Sequence, residues 1–556
     1  MNKKVCSFPI LFALLALLIG TCAVVFPASA QAAPTSTGSI TVSGTVASSY
    51  DAYQIFSANV VDGDSDAKIA TDLAWASDDA RDAALPVLHS AGMPNSQTTA
   101  QEAAEWLNTD SHLTSALSAQ LARSLQNSGA VSVALNAGTE AKLPCGYWLI
   151  VADDDAIAQN EAGTAPIMAL VGGSAVAVKP KAATPKVAKH VLEDSTDAWQ
   201  KAADATVADD LYWRLSATVP AGLTAYDTYT VQFVDTMSAG LDPSKVASSM
   251  RVYVAAGADG GFDAVSAGKD GRTGTEPAKG WTDITAQCAT KVAADGKTFT
   301  VRTGDLIAAL GGADAFTAGA RVVAVYNAPL NSACNHGIAK GNPNEVYLRY
   351  PRSPFADQSG DAGFTRTPSD DACAYTWDLA LTKRGSDGDK PLAGAVLSIA
   401  DDRGRTLAAD GTWDAEGKAT VTTGEDGRVT VSGVDSGKLE VRELKAPKGY
   451  TAFEGTRSVT VKAEGLDVDQ VAAAKPKLTI TAESPLRADS ADGSTGSLEA
   501  SLINTPAGTP PSITTGGFMP STGDMAMYAA AAAAVAGAAL IVVALLVKRG
   551  GGSHKE

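Results

Sequence analysis

The chain has 556 residues, 45% hydrophobic and 19% charged, with a formal net charge of −17. That length exceeds one core and predicts several domains, and the composition is that of globular, not disordered, protein. An acidic surface repels phosphate backbones, so nucleic acid is excluded as a partner.

In chain order, Lys3 and Lys4 precede an apolar stretch from Phe8 to Phe26, and Ala28-Ser29-Ala30 offers a small-x-small cleavage site. Residues 1–32 therefore read as a secretory signal peptide and predict export. A first domain, 35–182, opens with strand-like Ile40–Val42 and Tyr53–Ile55. It carries helical periodicity from Asp78 to Leu125 and closes on strands at Tyr147–Val151 and Ala175–Val178. Pro180 and Pro185 mark an extended connection. A second domain, 183–372, shows short alternating segments split by Gly, Asp and Asn turns, with the polar stretch Phe355–Asp371 reading as a loop or linker. A third domain, 373–506, repeats the pattern of short strands and turns. The predicted fold class is all-β: tandem Ig-like β-sandwiches, the first with a helical insertion. A Pro/Gly/Thr spacer and a short motif fill 507–524. The apolar run Met525–Val547 follows, long enough at about 23 residues to span a bilayer. Lys548 and Arg549 begin a cytoplasmic tail, 548–556.

Four cysteines remain after the leader, Cys145, Cys288, Cys334 and Cys373. Export permits disulfides, and Cys288 with Cys334 is the favoured pair because both fall in one domain. Neither the cysteines nor the five scattered histidines form a metal pattern. No metal or other cofactor is expected.

Strand parity brings out a different chemistry. Residues two apart share a face. Lys189 then lies in phase with Val187 and Val191, and Lys383 with Trp377, Leu379 and Leu381. Asp235 aligns with Val231 and Phe233, and Glu443 with Leu439 and Val441. Asn344 aligns with Val346, Leu348 and Tyr350, and Asn504 with Leu502. The second and third domains would each turn one Lys, one acid and one Asn inward. A buried Lys tends to lose its proton and a buried carboxyl to hold one. A neutral amine can attack the Asn side-chain carbon while the acid shuttles protons; ammonia leaves and an isopeptide bond remains.

The third domain also carries Pro391-Leu392-Ala393-Gly394-Ala395-Val396-Leu397 and, later, Leu439-Glu440-Val441-Arg442-Glu443-Leu444-Lys445-Ala446-Pro447-Lys448-Gly449-Tyr450. These segments resemble the Cna B-type domain. The resemblance implies that Glu443 is the isopeptide-promoting acid and that Lys383 and Asn504 are joined. Asp235-Thr236-Met237-Ser238-Ala239-Gly240-Leu241 and Asn342-Pro343-Asn344-Glu345-Val346-Tyr347-Leu348-Arg349-Tyr350 are similar to the middle domain of sortase-assembled Gram-positive backbone pilins. That similarity implies a second set, Lys189, Asp235 and Asn344. Tyr50-Asp51-Ala52-Tyr53-Gln54-Ile55-Phe56 and Cys145-Gly146-Tyr147-Trp148-Leu149 look like the pilin N-terminal domain.

Val178-Lys179-Pro180-Lys181 stands where the family has its pilin motif, with Lys179 replacing Tyr, so Lys181 maps to the pilus-linking lysine. Lys179 or Lys186 could substitute. Met519-Pro520-Ser521-Thr522-Gly523 resembles the Leu-Pro-x-Thr-Gly sorting signal, with Met519 for Leu. In that family sortase cuts between the positions of Thr522 and Gly523 and passes the Thr carbonyl to an amine.

The resemblance implies a pilus backbone subunit at the cell wall, exported with a transient C-terminal membrane anchor and linked head to tail to copies of itself. Its further implied partners are sortase, accessory pilins, peptidoglycan and a host or bacterial surface receptor. The alternative is a monomeric wall-anchored adhesin on a crosslinked stalk. No Gly-x-Ser-x-Gly, His-Glu-x-x-His or phosphate loop is present, so an enzyme is not expected.

Overall fold

The structure, a computed structural model, describes residues 36–64, 67–109, 111–180, 183–222, 224–266 and 273–508. The predicted signal peptide, Lys181, the motif Met519–Gly523 and the apolar run Met525–Val547 lie outside these residues. Among the described residues no helix is long and apolar enough to cross a membrane.

In the first unit a five-stranded sheet is covered on both faces. Its strands Lys68–Trp75, Ser49–Asp62, Gly146–Ala152 and Ile167–Val171 lie in that order, with Ser132–Asn136 also beside Ser49–Asp62. One face packs on the three-stranded sheet Glu140–Pro144, Thr37–Val42, Val176–Val178 through Ile40, Tyr50, Trp148 and Val171. The other packs on helices α1 (Asp78–Ser90), α2 (Ala100–Asn108) and α3 (Ser115–Gln126) through Ile55, Leu149, Leu88 and Leu121. Double coverage is why Trp148–Val151 is an unbroken buried run instead of alternating. The helical span divides into three because the chain is punctuated and recapped. Ser77 and Thr114 cap α1 and α3, and Thr99 with Glu102 forms a capping box on α2.

The second unit is a sandwich. One sheet orders Ala198–Gln200, Lys186–Glu193, Tyr212–Val219, Ala320–Asn327, Arg251–Ala256 and Thr282–Asp283. The facing sheet orders Ala202–Asp204, Asp370–Tyr375, Asn342–Pro351, Gln232–Met237, Thr298–Arg302 and Ala289–Val292. Between them lies a core that includes Trp213, Phe233, Phe299 and Leu348.

Phe355–Asp371 is not a free linker. Phe364–Arg366 pairs with Asn342–Pro351, and Asp370 opens a strand that runs on to Tyr375 in the same sheet. The polar residues Arg349 and Asp361 hold this excursion down, with a guanidinium–carboxylate contact of 2.8 Å.

The third unit is a second sandwich. Arg428–Val434, Trp377–Gly385, Ser497–Pro506 and Tyr450–Thr451 form one sheet, with Leu486–Asp492 beside Ser497–Pro506. The other is built mainly on Val396–Ala400, Gly437–Lys445, Thr456–Glu464 and Lys477–Ala482. The first and last long strands, Trp377–Gly385 and Ser497–Pro506, run parallel side by side.

The expected disulfide is not formed: Cys145, Cys288, Cys334 and Cys373 are all free thiols. Cys288 Sγ lies 3.3 Å from the Ile284 carbonyl, whereas Cys334 Sγ lies 3.6 Å from His336 Nε2. Membership of one domain does not bring two Cβ atoms to bonding distance, which is what a disulfide requires.

Candidate functional site: two buried lysine–acid–asparagine clusters

The alternation that makes these strands half-apolar also carries polar residues inward. Asn342–Pro351 alternates buried and exposed from Asn342 to Val346, and its Asn344 is fully buried. Gln232–Met237 lies beside it with Met237 opposite Asn344 and Asp235 opposite Val346, so Asp235 and Asn344 share the inner face. Lys189 comes from the facing sheet, on Lys186–Glu193. Its backbone is fixed there by an N–H to Asp370 Oδ2 at 2.6 Å and by the Lys201 amine on its carbonyl at 2.9 Å. All three side chains have no solvent exposure.

In this middle cluster Lys189 Nζ donates to Asp235 Oδ2 and, at 2.9 Å, to the hydroxyl of Tyr326. That hydroxyl donates to Asp235 Oδ2 at 3.1 Å and accepts from Asn344 Nδ2 at 2.8 Å. Amine, acid and amide therefore meet at one phenol oxygen. The rings of Trp213 and Tyr326 stand 5.5 and 5.4 Å from the amine, and Phe299 packs edge-on against Tyr326. Burial pulls the Lys189 amine down to about 8, against the opposing pull of Asp235. Burial pushes the Asp235 carboxyl up, against the opposing effect of Lys189. Asp235 Oδ1 and Asn344 Oδ1 are buried without a hydrogen-bond partner.

The third-unit cluster has the same residue types in another arrangement. Lys383 and Asn504 lie on the adjacent parallel strands, with Lys383 opposite Leu502 and Asn504 opposite Gly385. Glu443 reaches across from Gly437–Lys445 in the facing sheet. Glu443 Oε1 accepts from Asn504 Nδ2 at 2.8 Å and lies 3.8 Å from Lys383 Nζ; its Oε2 accepts from Asn504 Nδ2 at 3.0 Å and from the Phe453 N–H at 3.1 Å. Lys383 Nζ donates to the Leu502 carbonyl at 3.0 Å. The Lys383 and Glu443 side chains have no exposure, and burial lowers the lysine to about 8. Asn504 Oδ1 has no partner. Here amine and amide meet at a carboxylate oxygen.

Both clusters offer what amide exchange requires: an amine biased toward its free-base form, a carboxyl within proton-transfer range, and an amide carbonyl with an unoccupied acceptor. Tyr326 is the member that sequence reasoning missed. Its parity with Val322 and Ala324 in Ala320–Asn327 would have placed a hydroxyl on the inner face. Lys179 and Lys186, on either side of Lys181, are both exposed.

The class defined by fold and site is a chain of β-sandwich units, two of which bury a lysine, an acid and an asparagine together. Residues 378–475 match the SpaA family, a prealbumin-like fold domain, and so the third unit carries that domain. Over 143 residues the chain is 30% identical to the trypsin-resistant surface T6 protein of Streptococcus pyogenes serotype M6, a stretch covering 24% of each protein. Among solved structures it is similar to the T6 backbone pilin of that serotype, with 17% identity, a TM-score of 0.45, and coverage of 85% of this chain and 98% of the other. It is also similar to the full-length major pilin SpaD of Corynebacterium diphtheriae, with 14% identity, a TM-score of 0.41 and coverage of 85% and 98%.

Proposed function

We propose that this chain is the structural backbone subunit of a covalent cell-surface pilus, stiffened by intramolecular Lys189–Asn344 and Lys383–Asn504 isopeptide bonds. The observation that carries this reading is the pair of buried clusters, each with one lysine, one acid and one asparagine in mutual reach. In each, the amine attacks the asparagine Cγ, the acid (Asp235 or Glu443) moves protons, and ammonia leaves. The product is neutral, which removes the cost of a buried charge.

Sortase would cut after Thr522 and pass its carbonyl to Lys181 of the next subunit. Donor and acceptor sit at different places, so the link does not close on itself and generates a fibre. The signal peptide exports the chain, the apolar segment 525–547 holds it until transfer, and the last transfer is to peptidoglycan. Accessory pilins and a surface receptor complete the adhesive role. The chain acts as a building block and not as an enzyme, since each internal bond forms once.

The test is intact-mass measurement of the secreted domains. The expected mass is short by two ammonia molecules; a mass equal to that of the encoded chain overturns the crosslinks.

A further inference from the structure

The two clusters differ in how the leaving nitrogen is held. In the third unit Asn504 Nδ2 rests on both oxygens of Glu443, at 2.8 and 3.0 Å, so the acid can protonate it directly. In the middle unit Asn344 Nδ2 rests on the Tyr326 hydroxyl at 2.8 Å, and that hydroxyl bridges to Asp235 at 3.1 Å. The nitrogen to be expelled as ammonia is thus one group removed from the acid.

We propose that the Tyr326 hydroxyl is a further catalytic group of the middle condensation, relaying a proton from Asp235 to the departing nitrogen of Asn344. This rests on the crosslinking reading above. The starting state is a neutral Lys189 amine beside a protonated Asp235. The Nζ lone pair forms a bond to Asn344 Cγ and the carbonyl π pair moves onto Oδ1. A planar amide nitrogen cannot accept a hydrogen bond, so the hydroxyl first accepts from it. Once Cγ is tetrahedral, Nδ2 carries a lone pair and the roles reverse. Tyr326 gives its proton to Nδ2 and takes one from Asp235, and the C–Nδ2 bond breaks as the carbonyl re-forms. Nζ gives one proton to Asp235, restoring the acid. The amide NH2 and one amine hydrogen have left together as one molecule of ammonia, with no other reactant. The geometry suits a relay because the hydroxyl already touches all three partners, Nζ at 2.9 Å among them. The Tyr326 ring is fixed edge-on to Phe299 at a centroid distance of 4.8 Å.

The experiment is Tyr326→Phe in the full secreted chain, with the third-unit bond as internal control. Unfolded chain that has not crosslinked is folded by dilution, and the two bonds are followed by mass mapping of the Lys189–Asn344 and Lys383–Asn504 peptides. The middle bond should form at least about a hundredfold more slowly, the lower end of what general acid–base groups supply, while the third forms at the wild-type rate. Equal rates for the middle bond in both chains overturn the relay and leave the crosslinks standing. Absence of both bonds in the unsubstituted chain overturns the crosslinks themselves. Fold loss is separated by comparing Asp235→Ala with Asp235→Ala/Tyr326→Phe, neither of which can condense. Nearly equal melting temperatures assign the lost rate to proton transfer. A fall in the double variant large enough to account for the slow step assigns it to packing and overturns the relay.

Discussion

A lysine amine in an apolar core loses hydration that nothing replaces in full, and its proton becomes easier to give up. At Lys189 and Lys383, where burial draws both amines down to about 8, that loss would be the source of nucleophilicity in the proposed crosslinking. The acids would then decide whether the amine reacts. Glu443→Ala should leave the Lys383–Asn504 bond unformed, so that the deficit against the variant's own encoded mass falls from two ammonia molecules to one, with the Lys189–Asn344 bond unaffected. A pH experiment isolates the desolvated amine. With Asn504→Ala, Lys383 stays ionisable. Its folded-state value, about 8, is below the ordinary 10.5. Below the lower value both states hold the proton and the burial penalty is complete. Between the two values only the unfolded chain holds it, so stability rises with pH through that window. Thiols and phenols of the unfolded chain titrate there too, but they cancel when Asn504→Ala is compared with Lys383→Met/Asn504→Ala. The Met chain's advantage in urea unfolding near neutral pH should shrink by up to about 3 kcal/mol by the top of the window. A difference that stays flat would show that Lys383 is not desolvated.

At the scale of elements, the two bonds would tie different things. Lys383 and Asn504 join the first and last long strands of one sheet, which are parallel neighbours. Lys189 and Asn344 join strands of facing sheets across the core. Both would hold the beginning of a domain to a strand near its end, so that tension applied through the termini would pull on a covalent bond instead of unzipping a ladder. In the unfolded chain each bond closes a loop of disulfide-like consequence. Loop-closure entropy for spans of this size is worth about 4–5 kcal/mol. Glu443→Ala should lower third-domain stability by that order in chemical unfolding; an unchanged midpoint would mean the covalent tie carries no stability.

Across the whole molecule, the units are joined by polar clasps as well as by chain. Arg405 makes a two-point contact with Asp209 at 2.5 and 2.7 Å, and Asp204 of the second unit accepts the Trp377 indole N–H of the third at 2.6 Å. Arg123 of α3 reaches the Ala225 and Pro354 carbonyls, each at 3.2 Å, and lies over the Phe355 ring. Charge-assisted contacts of this kind suit a shaft that transmits force between modules. The proposed fibre makes the decisive prediction at this scale. Cell-wall extracts should give an electrophoretic ladder that Lys181→Ala or Thr522→Ala reduces to monomer. A ladder surviving Lys181→Ala would move the acceptor to another lysine, and a wild-type monomer band would favour the single-chain adhesin.

Alternation along strands is a local property, and it was enough to turn Lys189, Asp235, Asn344, Lys383, Glu443 and Asn504 inward on paper; all six are buried. It was enough also for the all-β class and for helices between Asp78 and Leu125, since periodicity and caps are written in neighbouring residues. What neighbouring residues do not encode is which strands meet. The parallel pairing of Lys383's strand with Asn504's, the bridging hydroxyl of Tyr326, the folding of Phe355–Asp371 into a sheet and the separation of Cys288 from Cys334 all depend on contacts between residues distant in the chain. Such contacts are chosen by burial of the whole core, because a sandwich closes only when both sheets cover their apolar faces at once.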